Sequence, residues 1–372
     1  MNEHAGSAPP EGEILADLLF LFTSIATIFG IYAILAISLN LEFGYAGQPN
    51  LGKVFFYSVG AYVAGILVAH VVSGLAGWSG ELFGAPAARV RFEYAVANPG
   101  VIFGLFLAAL VLGGLAGGAF GYLASFPALR LRGDFLAITL IAVGEVSRVF
   151  VHAYEPLAGG AIGILGVPNP FVWITSLGPD IPVTAQRLAY TGVVLGIAVV
   201  CLLYAERLSN APFGRLLKAV RDDELVADVL GKRTRRVKGT VLVIGSAMAA
   251  VAGVLYAFHA QSIVAGDYIP QVTFLVLAMV LLGGAANHRG AVIGALVLTL
   301  VDRFTQPATL AIAGIFWSSP VDLNYLRYIG IGLMLILVLM FRPEGIIPER
   351  PVKTPRPAAP AAAAMDGGTE TP

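Results

Sequence analysis

Long uncharged apolar stretches alternate along this chain with short loops that carry most of its charged residues. No charged residue occurs from 18 to 41, from 94 to 129, or from 239 to 266. A helix of about 20 apolar residues crosses the hydrocarbon core of a bilayer, so each stretch is long enough to span a membrane. The pattern therefore predicts an all-α polytopic membrane protein.

Hydropathy, read with the Pro and Gly residues that separate the segments, predicts about nine transmembrane helices, within a range of about 8–10. The predicted limits are 14–40, 54–74, 99–125, 133–152, 187–205, 238–259, 271–284, 290–306 and 323–341. The seventh and eighth are short and interrupted by glycine. They are expected to form either complete spans or the half-helices of a re-entrant hairpin.

Composition supports this assignment. The chain is 57% hydrophobic and 12% charged, whereas soluble domains are about 25% charged. Its formal net charge of zero gives no reason to expect a nucleic acid partner, and its five histidines and single cysteine show no metal-ligand spacing. We expect a permease domain at 14–345 between two disordered tails, residues 1–13 and the Pro/Ala-rich residues 346–372.

The basic residues are distributed unevenly between the two sides of the predicted bundle. Seventeen of the 23 Lys and Arg lie in loops 41–53, 126–132, 206–238 and 285–289 and in the tail after 341. Loops rich in Lys and Arg remain in the cytoplasm. The asymmetry thus predicts a multi-pass inner or plasma membrane protein with its N-terminus outside and its C-terminus in the cytoplasm.

The loop at 206–238 contains a sequence that a simple linker does not need. Pro212 is suited to the first turn of a helix, and Gly231 is suited to a C-cap. Between them, apolar residues recur at helical spacing, interrupted by one charged turn at 221–224. We predict a short amphipathic helix on the cytoplasmic face that docks a partner. The alternative is a solvated linker whose basic residues only fix the topology.

Several polar residues fall within or beside the apolar spans. Glu145 and Arg148 are three residues apart on one helix face, and an unpaired charge there is costly, so they are expected to pair. The pair either has a structural role or lines the substrate path. Asn40, Gln48 and Asn50 surround the Gly-rich turn after the first span, and they are further candidates for the translocation path.

Two glycine patterns have structural explanations. Residues 47–54 nearly match a phosphate-binding P-loop, but Val54 stands where that motif needs Ser or Thr, and the turn joins two apolar helices. No ATP site is therefore expected in this chain. Gly113, Gly117 and Gly121 recur at four-residue spacing, which favours close contact with another helix.

Ordered motifs along most of the chain resemble the branched-chain amino acid ABC permeases of the LivM and LivH type. They comprise LNLEFGYAGQPNLG at 39–52, GAY at 60–62, LRLRGDFLAITL at 129–140, GGAIG at 159–163, PFGR at 212–215 and LGGA at 282–285. The similarity covers about residues 30–345, and the LRLRG stretch makes the chain more similar to LivM than to LivH.

This resemblance implies a permease subunit of an ABC importer. Its expected partners are a second, LivH-like permease, two ATP-binding subunits that hydrolyse ATP with Mg²⁺, an extracytoplasmic substrate-binding protein and membrane lipid. No cofactor is expected on this chain. The residues expected to couple to the ATPases are Phe213, Gly214, Arg215, Leu217, Val220, Arg221, Glu224, Ala227 and Gly231.

Branched-chain or related amino acids are the expected substrates. The sequence leaves a urea importer open, because urea permeases share this family's architecture. An ion-coupled secondary transporter or a channel would belong to another class. A secondary transporter predicts ionisable residues at the membrane midplane, and few are present. The docking helix argues against both of these alternatives.

Overall fold

A computed structural model describes residues 11–128, 131, 133–177, 183–304, 323–342 and 344–349. Residues 1–10 and 350–372 of the two predicted tails, and Leu129, Arg130 and Arg132 of the LRLRG stretch, lie outside the described residues. The helices, in chain order, are α1 Glu11–Asn40, α2 Lys53–Leu75, α3 Ala85–Ala97, α4 Pro99–Ala128, α5 Gly133–Ala153, α6 Glu155–Ala158, α7 Val183–Asn210, α8 Pro212–Asp222, α9 Glu224–Val229, α10 Thr234–Ala260, α11 Pro270–Gly283, α12 His288–Phe304 and α13 Leu323–Phe341.

Each of the nine predicted spans coincides with one long helix, namely α1, α2, α4, α5, α7, α10, α11, α12 and α13. Within the described part of the chain, seven helical segments are long and apolar enough to cross a membrane. The chain is therefore an all-α polytopic membrane protein, as predicted. The described residues also contain a small sheet, in which β1 Ile164–Leu165 pairs with β2 Ser262–Ile263 in antiparallel register.

Helix α10 forms the centre of the bundle and packs against α4, α2 and α1. The predicted glycine contact is confirmed on α4, because Gly113, Gly117 and Gly121 all face α10. A Cβ on Gly117 would overlap the side chain of Ala250. Because both helices have small side chains at this contact, their backbones approach closely, as small residues allow in membrane bundles.

We call the end formed by residues 41–53, 206–238 and 285–289 the basic end of the bundle. At the opposite end, α3 and the small sheet are held together by Arg91, which is completely buried. Its guanidinium donates to the carbonyls of Leu82 (2.7 Å), Gly166 (3.0 Å) and Leu165. Burial lowers the pKa of Arg91 to about 10, so it remains charged at neutral pH.

Helices α11 and α12 form a hairpin. Both helices are continuous, so the glycines that were expected to interrupt them do not break either one. Gly283, Gly290 and Gly294 instead lie where the two helices touch, and a Cβ on Gly294 would overlap the carbonyl oxygen of Met279. Helix α11 has 14 residues and is ~21 Å long, shorter than a bilayer core of ~30 Å. The 3₁₀ turn Ala265–Asp267 precedes it.

Two predicted boundaries require correction. Helix α1 already begins at Glu11, inside the predicted N-terminal tail. At the other end, the predicted tail begins at residue 346, yet the backbone N–H groups of Ile346 and Ile347 donate to the carbonyls of Leu282 and Gly283. The packed domain therefore extends to Glu349, because residues 346–349 satisfy backbone groups at the end of α11.

Candidate functional site

The first feature of the basic end is a buried ion pair. At residues Leu41–Tyr45, helix α1 widens into a π-helical turn, which brings Glu42 to face the bundle interior. Lys53 at the start of α2 lies 2.8 Å from Glu42, and both side chains are fully buried. Asn50 donates to the second carboxylate oxygen at 2.9 Å. Glu42 thus holds residues 46–52, which lead back into α2 and which we call the returning loop, against α10. Gly245 of α10 leaves room for the Glu42 carboxylate.

The lysine of the near-P-loop is held inside the bundle. The ammonium group of Lys53, which a phosphate-binding loop would direct at its ligand, is already paired with Glu42 and shielded from solvent. An uncompensated buried charge is costly, so neither partner can be removed without penalty. The pair links the end of α1 to the start of α2.

A second polar cluster connects α1, α7 and α12. Asn40 accepts a hydrogen bond from the backbone N–H of Ala286 (2.9 Å), and its amide nitrogen lies 3.3 Å from His288. His288 stacks on Tyr45, with the ring centroids 4.6 Å apart, and its other nitrogen lies 2.7 Å from the hydroxyl of Ser209. The predicted path residue Asn40 therefore fastens the α11–α12 turn to α1.

Helix α8 begins at Pro212, as predicted, and lies across the basic end of the bundle. Its buried face consists of Gly214, Leu217 and Val220, which pack on Leu41, Tyr45, Ala46, Val237 and Val241. Gly214 lies so close to the end of α7 that a Cβ would overlap the carbonyl of Ser209. Leu217 and Val220 therefore anchor α8 to the bundle. Their coupling to the ATPases stays a prediction, in which they act by transmitting movement of α8.

The predicted single amphipathic helix is in fact two helices. Asp223 adopts an extended conformation (φ −154°, ψ 105°), ends α8 and begins α9. Its carboxylate accepts from the backbone N–H of Val226 at 3.0 Å, which is the geometry of an N-cap. At the other end the C-cap is Leu230, one residue before the predicted Gly231, and Gly231 has a φ of 75°, the left-handed conformation that favours glycine just past a helix. The charged turn noted in the sequence is therefore the break.

Helix α9 presents an apolar face away from the bundle. Leu225 and Val229 are 78% and 87% exposed, and Val226 and Leu230 are also more than half exposed. On the inner side, Ala227 is buried. We call Leu225, Val226, Val229 and Leu230 the α9 patch. In the sequence these four residues belong to the periodic apolar stripe, and no individual function is predicted for them. Their spacing alone does not indicate which apolar face is buried.

Charged residues fix both helices in place. Arg221 donates to the carbonyl of Gly44 (2.8 Å) and to Glu349 (3.0 Å), and Glu224 pairs with Lys238 on α10. Partial burial alone would lower the pKa of Arg221, but hydrogen bonds to Glu349 and Asp222 outweigh it and raise the pKa. Among the remaining predicted coupling residues, Arg215 is exposed and Phe213 is half-buried.

Glu145 and Arg148 form the predicted ion pair on α5, with two hydrogen bonds of 3.0 and 3.1 Å from the Arg148 Nε. Both side chains are partly exposed, although they lie in a membrane-spanning helix. Charges facing lipid are costly, so this face of α5 needs a cover of protein or water. Phe135, Ile138 and Val146 extend the uncovered surface along α5.

A cavity of about 480 Å³ lies beside this pair, between α2 and α5. Its walls are largely apolar, and its polar contributors are Ser58, Tyr62, Ser147, Arg148 and Tyr268. The buried hydroxyl of Tyr268 has no hydrogen-bond partner among the described residues. Tyr62 and Tyr268 were not predicted to line a cavity, because a single aromatic residue in an apolar segment carries no distinguishing pattern.

The five residues predicted for the translocation path thus divide into two groups. Glu145 and Arg148 lie at the uncovered face of α5. Asn40, Gln48 and Asn50 lie at the basic end and do not line the α2–α5 cavity. Gln48 instead lines a cavity of about 210 Å³ between the returning loop and α8, and its amide oxygen is buried without a partner in the described structure.

Comparison with known proteins places this geometry in context. The profile of the family described as "Branched-chain amino acid transport system / permease component" matches residues 21–339. A probable branched-chain amino acid transport permease protein LivM of Methanocaldococcus jannaschii is 33% identical over 88% of this chain and 93% of its own length. No solved protein structure matches this chain closely enough to count as a relative.

Two proteins of Escherichia coli extend the comparison to both branches of the family. Its high-affinity branched-chain amino acid transport system permease protein LivM is 28% identical over 87% of this chain and 69% of its own length. Its LivH counterpart is 26% identical over 86% of this chain and 92% of its own length. The LivM similarity is the stronger, in line with the motif at 129–140.

Proposed function

The chain belongs to the family of permease components of branched-chain amino acid transport systems, and from that premise we propose how it moves substrate and receives energy. It is a permease subunit of an ABC importer. We propose that it carries branched-chain or related amino acids, as the names of its relatives suggest, and that separate ATP-binding subunits supply the energy. The single observation that supports this coupling most directly is the exposed α9 patch on an otherwise anchored loop.

Docking on α8 and α9 is supported by the difference between their two faces, of which one packs on the bundle and the other is exposed. Leu217, Val220 and Ala227 are buried and fix the two helices on the bundle. The α9 patch and Arg215 point away and are free for a partner. A soluble surface seldom keeps four neighbouring apolar residues exposed without a partner. An ATP-binding subunit seated there would move α8 and α9, and through them the helices on which they pack.

The substrate path runs along the uncovered face of α5. An amino acid is a zwitterion, and Glu145 with Arg148 offers one charge of each sign beside the apolar α2–α5 cavity. The apolar walls suit a branched aliphatic side chain. A second, LivH-like permease covering α5 would shield the pair from lipid and enclose the path between the two subunits.

The remaining parts of the assembly follow from the same scheme. With the basic end in the cytoplasm, the N-terminus lies outside and the C-terminus inside, in keeping with the distribution of Lys and Arg. The opposite end, fixed by Arg91, then faces an extracytoplasmic substrate-binding protein. ATP and Mg²⁺ belong to the two ATP-binding subunits, while this chain contributes the path and the docking surface.

Reconstitution tests this proposal. The chain is purified with its co-expressed partners, placed in liposomes and supplied with external binding protein loaded with labelled leucine or urea. We expect leucine uptake that requires ATP inside the vesicles and persists when ionophores collapse ion gradients. Uptake of urea in place of leucine would contradict the proposal that the chain carries branched-chain or related amino acids. Uptake driven by an ion gradient without ATP contradicts the coupling.

A further inference from the structure

The C-terminal segment 344–349, which we call the strap, turns back from α13 and crosses the basic end. The backbone N–H groups of Ile346 and Ile347 donate to the last carbonyls of α11, at Leu282 and Gly283, both at 2.9 Å. The Asn287 amide donates to the carbonyl of Pro348 at 3.2 Å. These bonds satisfy helix-end carbonyls that would otherwise lack partners, and they fasten the strap to the α11–α12 turn.

Two glycines give the strap its close fit. Gly284 and Gly345 have φ angles of 114° and 80°, a region that side chains rarely adopt. A Cβ on Gly345 would lie 2.5 Å from the Cα of Gly284, and one on Gly284 would overlap the carbonyl of Ile347. The two backbones therefore meet where only glycine fits, so the course of the strap is fixed.

The strap ends on α8. Glu349 lies 2.7 Å from the Lys218 ammonium and 3.0 Å from the Arg221 guanidinium, one turn apart on that helix. Arg221 also donates to the carbonyl of Gly44. Partial burial would raise the pKa of Glu349, but hydrogen bonds from Lys218 and Arg221 outweigh it and keep the pKa below its ordinary value.

We propose that Glu349 is a positioning residue, and that the strap transmits the movement of α8 to the α11–α12 hairpin during ATP-driven transport. This inference rests on the proposed function, since it assumes that ATP-binding subunits move α8. Helix α8 packs directly on α7, on α10 and on the end of α1. The strap adds a second route, from Lys218 and Arg221 through Glu349 to the turn that begins α12.

The test uses the reconstituted transporter and compares Glu349→Gln with Glu349→Asp. Glu344→Gln is the matched control, because Glu344 is an exposed carboxylate on the same strap. Part-buried ion pairs contribute modestly, so we expect Glu349→Gln to lower the number of leucine molecules moved per ATP by roughly fivefold. Glu349→Asp should recover most of the loss, and Glu344→Gln should match the wild type.

A spectroscopic measurement separates positioning from general damage. Cys201 is replaced by serine, and spin labels are attached to cysteines at Ala219 on α8 and Leu296 on α12, both exposed. We expect a narrow distance distribution in the wild type, a broad one in Glu349→Gln and a narrow one in Glu349→Asp.

The possible failures are distinguishable. If Glu349→Gln keeps both the narrow distribution and the wild-type yield while ATP-driven uptake is intact, the strap proposal is overturned and the proposed function stands. A lower yield with an unchanged distribution also overturns it. If the wild type neither retains ATP-binding subunits nor shows ATP-driven uptake, the proposed function fails, and the strap proposal fails with it.

Discussion

Replacing Leu225 and Val229 together with serine should weaken docking of the ATP-binding subunit without unfolding the permease. Complete burial of a Leu or Val side chain contributes ~1.5–3 kcal/mol. Scaled by their exposures of 78% and 87%, the two residues together offer roughly 2.5–5 kcal/mol on docking. Ordering each side chain costs about 0.5–1.5 kcal/mol, which leaves ~1–3 kcal/mol, or ~5–150-fold in affinity.

The assay titrates purified ATP-binding subunit onto the permease in nanodiscs and records the thermal unfolding midpoint of the same samples. The midpoint of the double variant should stay near wild type, because exposed substitutions change stability by about 0.5 kcal/mol or less. Leu217→Ala provides the contrast. Its side chain is completely buried, so truncation should cost about 2–5 kcal/mol of stability.

The matched control is Leu177→Ser, because Leu177 is 64% exposed at the opposite end of the bundle. It should bind the ATP-binding subunit like the wild type. Wild-type affinity in the Leu225 and Val229 double variant would refute the α9 patch as the docking surface. Weak binding that comes with a midpoint loss like that of Leu217→Ala would show that the effect is unfolding.

Three further predictions follow from the described contacts. Lys53→Met should lower the free energy of unfolding by about 3–5 kcal/mol, because it leaves Glu42 buried and unpaired. Adding Glu42→Gln should recover much of that loss, measured as the unfolding midpoint. Glu145→Ala should lower the free energy of unfolding by roughly 2.5–3.5 kcal/mol, because it leaves Arg148 unpaired in the membrane. The double variant Glu145→Ala and Arg148→Ala should lose less stability, and an equal loss in the single and double variants would disprove the pairing. The stability that Glu349 contributes should be constant from pH 8 to about 5.5 and disappear only as the pH falls through its lowered pKa, below 4.5. Wild type and Glu349→Gln should therefore differ equally across that range and converge only in more acidic buffer.

The sequence predicts the helices well because the bilayer imposes one simple requirement on each span. All nine predicted spans correspond to helices, with ends displaced by a few residues. The glycine contact between α4 and α10 is likewise readable, since four-residue spacing places small residues on one face. The π-helical turn that directs Glu42 inward is harder to predict from the sequence. Its partner Lys53 lies eleven positions later across a loop, and no periodic rule relates them.

The candidate docking site shows a different limit. The sequence shows the apolar stripe at 212–231 but not which of its residues face outward, and Leu217 and Val220, predicted to couple to the ATPases, are buried on the bundle. The break at Asp223 turns α9 relative to α8, so apolar residues before and after it face opposite directions. Periodicity identifies an apolar face but does not say whether the bundle or a partner covers it. The strap was missed because its Pro-containing sequence resembles the tail that follows.

The central claim is that ATP-binding subunits dock on the α9 patch, and site-specific crosslinking tests it most directly. Cys201, the single cysteine, is replaced by serine, and a photoreactive maleimide is attached to Val229→Cys or, as control, Leu177→Cys. Illumination of the assembled transporter should join the ATP-binding subunit to position 229 and leave position 177 without it. Crosslinks from 229 to lipid alone, or equal yields at both positions, would contradict the account.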